Sequence, residues 1–341
     1  MCALLTGPRS FSSANGVSPD RNFYIDPTVE VDRLGNAILN RKFCLICGHR
    51  QSGKSTIALS LVRWLHSHPH MQCVDTFYVT FSNIQQEQGA EKFWWSVMKE
   101  FHSLDPKRFP LRIHGEMTAS AADFKMFFSK NFQFCSKPAI LVIDEASNLF
   151  YNAPMINDVS TEFIGAIRDL KVDEVNYCLR GLVLVGTEAI KEALAIYPSS
   201  STYSISPFSV EFTLPTTPFT KSQVMDLLDQ FAKEKNISLD KDDIARDIFE
   251  LTAGHRGLVG VCGYFLEVAV VLNQGPVTMS QWLKTTIFEL PIHVAQQATY
   301  LSLIRSLEHL THGQRNILSN VLRKGTHIAS LVSLVLFCVN Y

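Results

Sequence analysis

Nine consecutive residues have the types and the spacing of a phosphate-binding loop. They read Gly48, His49, Arg50, Gln51, Ser52, Gly53, Lys54, Ser55 and Thr56, and the first eight match the pattern G-x-x-x-x-G-K-[ST]. Glycine allows the backbone N–H groups of such a loop to curl round a phosphate, because a Cβ would clash there. Lys54 is placed to hold the β- and γ-phosphates by its charge, and the hydroxyl of Ser55 is placed to bind Mg²⁺. The loop therefore predicts a binding site for a nucleoside triphosphate.

The residues on either side of the loop supply the strand and the helix that it requires. Residues 42–47 are an apolar run typical of a buried strand, and residues 57–65 carry the apolar face of a helix. The amino terminus of that helix adds a partial positive charge to the anion site. This context favours a phosphate site over a chance turn rich in Gly, Ser and Lys.

Two adjacent carboxylates, Asp144 and Glu145, follow a second apolar run at residues 139–143. A central strand of a parallel sheet delivers the residues at its end to the carboxyl edge, where ligands bind. We expect Asp144 to interact with Mg²⁺, directly or through water. Glu145 is expected to orient the attacking water, because phosphoryl transfer to water needs a positioned acceptor more than a strong base. An isolated pair would suggest only the solvated end of a strand, but together with the loop it predicts hydrolysis.

The composition describes a globular chain long enough for about two domains. Of its 341 residues, 46% are hydrophobic and 18% are charged, which predicts a substantial core. Lys and Arg number 31 against 32 Asp and Glu, so a global basic field for nucleic-acid binding is excluded. The 8 cysteines lie mostly in apolar runs. We expect an intracellular protein of the cytoplasm or nucleus, without structural disulfides.

Neither end of the chain carries a membrane signal. Residues 1–20 are rich in Ser, Gly, Pro and Asn, and their apolar start is too short for the core of a signal peptide. Residues 328–339 are strongly apolar but number 12, short of the ~20 that a spanning helix needs. They predict a buried terminal element or the start of a truncated domain. We therefore expect no association with a membrane.

Strands alternate with helices in the first two thirds of the chain. Further strands are predicted at residues 73–81, 181–187 and 208–214, and helices at residues 91–102 and 121–132. We therefore expect an α/β fold with a parallel sheet covered on both faces. From residue 219 the periodicity is helical, with predicted helices at residues 221–234, 240–253, 258–273 and 278–289.

These patterns divide the chain into four segments. Two more helix candidates, joined near Thr311, resemble the opening of a helix-turn-helix or winged-helix unit. The predicted segments are a flexible tail at 1–21, an α/β domain at 22–218, a helical lid domain at 219–292 and an incomplete helical segment at 293–341.

The order of the motifs resembles the AAA-like and STAND branch of P-loop ATPases over about residues 22–275. Beside the loop, the matching stretches are Phe23-Tyr24-Ile25-Asp26, Ile143-Asp144-Glu145, Val185-Gly186-Thr187, Ser206-Pro207-Phe208 and Thr252-Ala253-Gly254-His255. Residues 254–259 also resemble a segment of the ATPase modules attached to Crinkler-type effectors. The secretion header of such effectors is not recognisable in this sequence, but secretion as an effector stays open.

The resemblance implies roles for further residues. Thr187 falls where the family keeps a polar sensor for the γ-phosphate, although the same threonine would also suit the N-cap of the helix that follows. His255 and Arg256 fall where the lid meets the nucleotide in relatives. Arg256 would act there as a charge sensor or would lie exposed, and exposure is favoured. Arg50 and Arg168 are candidates for stabilising charge in the transition state.

Together these features predict an Mg²⁺-dependent ATPase whose nucleotide cycle moves the helical lid, as a switch or motor for a partner module. The absence of the guanine-reading pattern N/T-K-x-D favours ATP. The alternative is a nucleotide-binding scaffold or effector of low turnover that acts through protein or DNA partners. A homo-oligomer, a nuclease partner domain and nucleic-acid binding all stay open.

Overall fold

The computed structural model describes residues 7–12, 16–84, 89–111, 118–131, 137–150, 158–196, 213–273 and 276–323. It consists of two compact units, which we call the α/β unit and the helical unit. The α/β unit comprises residues 27–49 and 54–216. The helical unit comprises residues 1–26, 50–53 and 217–341.

A five-stranded parallel sheet forms the centre of the α/β unit. Its strands are β1 (Phe43–Cys47), β2 (Asp75–Thr80), β3 (Ala139–Asp144), β4 (Leu179–Gly186) and β5 (Thr213–Pro215). They are arranged in the order β2-β3-β4-β1-β5. Because all strands run parallel, their carboxyl ends meet at one edge. The predicted α/β fold is confirmed.

Helices cover both faces of this sheet, so its three inner strands β1, β3 and β4 are buried almost throughout, whereas the edge strands β2 and β5 are mostly half-buried or exposed. Along β1, Cys44 and Ile46 face a core with α1 (Thr28–Leu39) and α2 (Lys54–Ser67). Phe43, Leu45 and Cys47 face the opposite core, because successive side chains of a strand point to opposite faces. Helices α3, α4 and α5 pack in that second core, over Ala90–Leu104, Ala121–Met126 and Asp158–Val172. A further helix, α6 (Ala189–Ile196), follows β4.

The helical unit consists of short helices round a separate apolar core. They are α7 (Lys221–Lys235), α8 (Lys241–Thr252), α9 (Arg256–Asn273), α10 (Met279–Thr286), α11 (Glu289–Gln296), α12 (Ala298–Glu308) and α13 (His312–Arg323). Capping boxes at Thr220 and Thr278 begin α7 and α10 by satisfying backbone N–H groups at the helix start. The predicted division at residue 292 stays a prediction.

Two predicted helices differ in the structure. The helix expected at 278–289 is divided into α10 and α11, and Pro291 lies inside α11 instead of ending the pattern. Proline is tolerated there because residues in the first turn have no helical acceptor for their N–H groups. The helix expected over 121–132 ends earlier, at Met126.

Residues 9–11 are packed, in contrast to the flexible tail expected at 1–21. Phe11 is buried in the helical unit, with its ring centroid 4.8 Å from that of Phe23 and 5.5 Å from that of Phe231. Arg9 forms an ion pair with Glu234 at 2.6 Å. One buried aromatic residue therefore anchors a stretch whose composition is typical of disorder.

The remaining expectations about the chain have mixed outcomes. Cys178 is disulfide-bonded, contrary to the prediction of no disulfides. Among the residues placed by the structure, no helix has the length and apolar character needed to cross a bilayer. The predicted strand at 208–214 is described only from residue 213, and the apolar run 328–339 lies outside the described residues.

Candidate functional site

The start of the phosphate-binding loop is hydrogen-bonded to the sheet and to Lys54. The backbone N–H of Gly48 donates to the carbonyl of Gly186 at 3.2 Å. Lys54 is the first residue of α2 and is only 7% exposed. Its Nζ donates to the carbonyl oxygen of His49 at 2.6 Å, so the ammonium group lies back over the loop. Burial lowers the pKa of His49, and the charge of Lys54 lowers it further against the opposing charge of Glu188.

The tip of the loop, residues 50–53, packs within the helical unit. Gln51 and Gly53 adopt left-handed backbone conformations, with φ of 57° and 92°. A Cβ on Gly53 would lie 2.7 Å from Cδ of Arg256, so both the backbone and the available space require glycine. A Cβ on Gly257 would lie 2.5 Å from Cβ of Gln51. The loop tip therefore lies directly against the start of α9.

A side-chain hydrogen bond joins the loop tip to another helix of the same unit. Nε2 of Gln51 donates to the hydroxyl of Thr299 in α12 at 3.1 Å. Ser52 is buried and Arg50 is exposed, whereas Ser55 and Thr56 are half-buried in the first turn of α2.

The carboxylate of Asp144 is held on both oxygens. It is 4% exposed at the end of β3. Oδ2 accepts a hydrogen bond from the Tyr78 hydroxyl at 2.6 Å, and Oδ1 accepts one from the backbone N–H of Glu145 at 2.8 Å. Burial raises the pKa of Tyr78 and the charge of Asp144 raises it further, so the phenol stays protonated and acts as the donor.

The chain turns sharply after Asp144. Glu145 has a φ of 54°, a left-handed conformation that is uncommon for a residue with a Cβ. Its side chain is exposed, and its carbonyl accepts a hydrogen bond from the N–H of Asn148 at 3.0 Å. A 3-10 turn at Ala146–Phe150 follows. Such a conformation costs about 1–3 kcal/mol, and strained residues of this kind cluster at active sites.

Thr187 follows β4 and is fixed through its backbone. Its N–H donates to the hydroxyl of Ser147 at 2.5 Å, and its carbonyl accepts from the N–H of Ile190 at 3.2 Å. A Cβ on Gly186 would lie 2.2 Å from Oγ of Ser147, so glycine permits this close approach. The strand register pairs Cys47 with Gly186, which brings the beginning of the loop beside Thr187.

His255 directly precedes α9, and Arg256 is the first residue of that helix. His255 is buried, and its Nδ1 accepts a hydrogen bond from the N–H of Leu258 at 3.2 Å, as a helix cap does. The guanidinium of Arg256 lies 5.1 Å from the ring centroid of Phe219, and its Nη2 donates to Thr217 at 3.4 Å. Arg256 is half-buried, so the preference for exposure was wrong.

The predicted site residues fall into two groups in the structure. One group belongs to the α/β unit: Gly48, Asp144, Glu145 and Thr187 lie at or directly after the carboxyl ends of β1, β3 and β4, and Lys54 begins α2. The loop tip belongs with His255 and Arg256 in the helical unit, and the other candidate arginine, Arg168, is half-buried in α5.

Sequence reasoning missed the residues that hold these groups in place. They are Tyr78, Ser147 and Thr299. Only Ser147 had a local signal, since it follows the predicted carboxylates closely. The other two are distant in sequence from the residues that they contact.

Comparison with known proteins agrees with this arrangement. Residues 38–194 match the family model described as AAA domain. No curated protein sequence matches the chain. The solved ORC2 protein of Aeropyrum pernix, in ADPNP-ADP complexes, is similar with a TM-score of 0.56 and 16% identity, covering 78% of this chain and 70% of that one. A Walker-type ATPase of Pyrococcus abyssi has a TM-score of 0.53 and 16% identity, with 94% and 90% covered.

At 16% sequence identity the solved structures show the fold alone, which is an α/β P-loop NTPase core. The AAA domain model matches residues 38–194, slightly less than half of the chain, and this match supports an ATPase. Proteins of this class bind and hydrolyse nucleotides.

Proposed function

We propose that this chain is an Mg²⁺-dependent ATPase whose nucleotide state changes the helical unit, as a switch or motor for a partner module. The observation that carries the proposal is the shared carboxyl edge of β1, β4 and β3. The phosphate-binding loop follows the first of these strands, Thr187 follows the second, and Asp144 and Glu145 stand at the end of the third. A nucleotide held by the loop would have its terminal phosphate at that edge.

The loop supplies groups suited to a triphosphate. The start of α2 has N–H groups without helical acceptors and a partial positive charge, both of which favour an anion. We assign phosphate binding to residues 48–56, with Lys54 neutralising charge on the β- and γ-phosphates. The buried Lys54 donates to the His49 carbonyl, and it would exchange this contact for phosphate oxygens when a nucleotide binds.

The donor set fits Mg²⁺ better than a metal held by protein alone. Among the described residues, no group of three or more His, Cys, Asp or Glu is placed to hold a metal ion. Mg²⁺ is usually bound by one or two protein oxygens, substrate phosphates and several waters. We assign its protein ligands to Ser55 and Asp144, the latter directly or through water. When bound, the ion would neutralise charge that develops on the phosphates.

Glu145 and Thr187 are assigned to the hydrolytic step. Glu145 combines an exposed carboxylate with a left-handed backbone directly after β3, an inner strand of the sheet. An exposed carboxylate at this edge suits a residue that orients the attacking water. Thr187 would contact the γ-phosphate by its hydroxyl, while its backbone is held by Ser147.

The contacts of the loop tip support a coupling between nucleotide and helical unit. Gly53 touches Arg256, and Gln51 touches Gly257, so a phosphate that reshapes the loop would alter the start of α9. A ligand shifts a conformational balance only through contacts that differ between the states. We assign the sensing of nucleotide to His255 and Arg256 on this basis.

The narrower family assignment is also a proposal. The order of the motifs over about residues 22–275 supports the STAND branch, and residues 254–259 support a relation to Crinkler-type ATPase modules. On this reading the chain acts inside a cell, with a nuclease or another effector domain, or a second copy of itself, as its partner.

A second candidate is a scaffold that reads nucleotide occupancy with little turnover. The hydrogen bond from Gln51 to Thr299 favours it, because the helical unit then responds to occupancy of the loop without hydrolysis. Steady-state release of phosphate separates the two candidates.

The loop assignment is tested by Lys54→Ala. We expect ATP binding to be lost or severely weakened, since the backbone N–H groups cannot replace the charge of the lysine. Calorimetric titration of ATP with Mg²⁺ measures the effect, and Lys92→Ala, which removes an exposed lysine on α3, is the matched control. Unchanged affinity in Lys54→Ala would overturn the site assignment.

A further inference from the structure

We infer that Tyr78 is a positioning residue that orients the Asp144 carboxylate towards the divalent cation. The inference rests on the proposed function and deepens it. Tyr78 lies on β2, outside the motifs that define the nucleotide site. It acts through Asp144 and is not assigned a contact with the nucleotide.

The strand register explains how the two side chains meet. Tyr78 is paired with Val142 across β2 and β3, and Asp144 lies two residues beyond Val142. Residues two apart on a strand share a face, so the phenol and the carboxylate are diagonal neighbours on the same side of the sheet. A long aromatic side chain reaches a diagonal neighbour. The hydroxyl oxygen of Tyr78 therefore lies 2.6 Å from Oδ2 of Asp144.

The hydrogen bond is of the strong, charge-assisted kind. Its length lies within the range typical of O–H donors to a carboxylate. The backbone N–H of Glu145 holds the other oxygen, Oδ1, at 2.8 Å. With one donor on each oxygen, the plane of the carboxylate is set before any ion arrives.

The Asp144 carboxylate can still bind a cation while it accepts these two hydrogen bonds. An ionised carboxylate has about four lone-pair sites, of which the two observed hydrogen bonds use two. Outer-shell partners of this kind fix the direction of a metal ligand, and their loss typically weakens metal affinity about 10–100-fold. Asp144 is buried, so water cannot freely replace the lost donor.

The test is Tyr78→Phe in the full chain, which removes the hydroxyl and keeps the ring. ATP affinity is titrated at a series of Mg²⁺ concentrations and again with EDTA. We expect the Mg²⁺ concentration for half-maximal enhancement to rise about 10-fold or more, while affinity in EDTA is unchanged. Tyr264→Phe, which removes the hydroxyl of an exposed tyrosine, should leave both quantities as in the wild type.

A double-mutant cycle with Asp144→Asn separates positioning from a general loss of structure. If Tyr78 acts through Asp144, adding Tyr78→Phe to Asp144→Asn should cause no further change in Mg²⁺ dependence. Thermal unfolding in EDTA verifies that both variants fold. If the Mg²⁺ dependence of ATP affinity is the same in Tyr78→Phe as in the wild type, the inference about Tyr78 is overturned but the proposed function is not. If the ATP affinity of the wild type does not depend on Mg²⁺, the proposed function is overturned as well.

Discussion

At the scale of single residues, backbone conformation marks the site as clearly as side-chain chemistry does. Glu145 and Gln51 both have positive φ although neither is glycine. Glu145 directly follows β3, and Gln51 lies in the phosphate-binding loop. Conformations of this kind persist only where surrounding contacts hold them. The backbone N–H of Glu145 donates to the carboxylate of Asp144. This hydrogen bond therefore orients the Asp144 carboxylate and also holds the turn of the chain at Glu145.

The role of Glu145 is tested by replacing its acceptor. For Glu145→Gln we expect ATP binding to be retained and phosphate release to fall by about 10²–10⁴-fold, because the amide keeps the size of the side chain but cannot accept a proton. Single-turnover and steady-state phosphate assays measure the rate, and Glu250→Gln on the exposed surface of α8 is the control. Hydrolysis at the wild-type rate would mean that another group orients the water.

At the scale of elements, an amino-terminal segment completes the core of the helical unit. The Phe11 ring lies against Phe23 and Phe231, and a Cβ on Gly263 of α9 would lie 2.3 Å from it. The N–H of Phe11 also donates to Glu267 at 3.1 Å. The segment thus fills a space on α9 that only glycine leaves open.

Removal of this anchor should destabilise the protein. We expect Phe11→Ala to lower the free energy of unfolding by about 3–5 kcal/mol, because it deletes a buried ring and leaves a cavity beside Gly263. The same substitution at Phe288, which is 74% exposed, should cost far less. Urea unfolding followed by circular dichroism compares the two variants. Equal losses would show that residues 9–11 do not contribute to the core.

At the scale of the whole molecule, the proposed switch depends on one loop that serves both units. Residues 48–49 and 54–56 of the phosphate-binding loop belong to the α/β unit, whereas residues 50–53 pack within the helical unit. The loop tip touches the first residues of α9. Because residues 50–53 continue directly from residues 48–49, a change of loop shape on binding phosphate would reach the start of α9 through the loop tip.

Hydrogen exchange tests this coupling. We expect ATP with Mg²⁺ to protect the amides of residues 48–56 and of residues 254–259 together, because contacts at Gly53 and Gln51 link the two segments. Lys54→Ala should remove both protections. Protection of the loop alone, with residues 254–259 unchanged, would refute the switch and leave the helical unit as an independent partner-binding module.

The sequence by itself determined the class of fold and the main elements of the site. The loop motif and the apolar runs at 42–47 and 139–143 are local patterns, and local hydrogen bonding and burial decide such elements. The helical periodicity after residue 219 was equally local, and α7, α8 and α9 lie close to their predicted ranges. These parts were predictable because each depends on neighbours within about 10–20 residues of chain.

Only the tertiary structure decided which distant residues hold those elements in place. The position of β4 between β1 and β3 brings Thr187 to the site, and the pairing of β2 with β3 brings Tyr78 to Asp144. The enclosure of Arg256 and the burial of Phe11 likewise depend on packing between segments far apart in sequence. Strand order and packing are set by the free energy of the whole folded core, which no local pattern records.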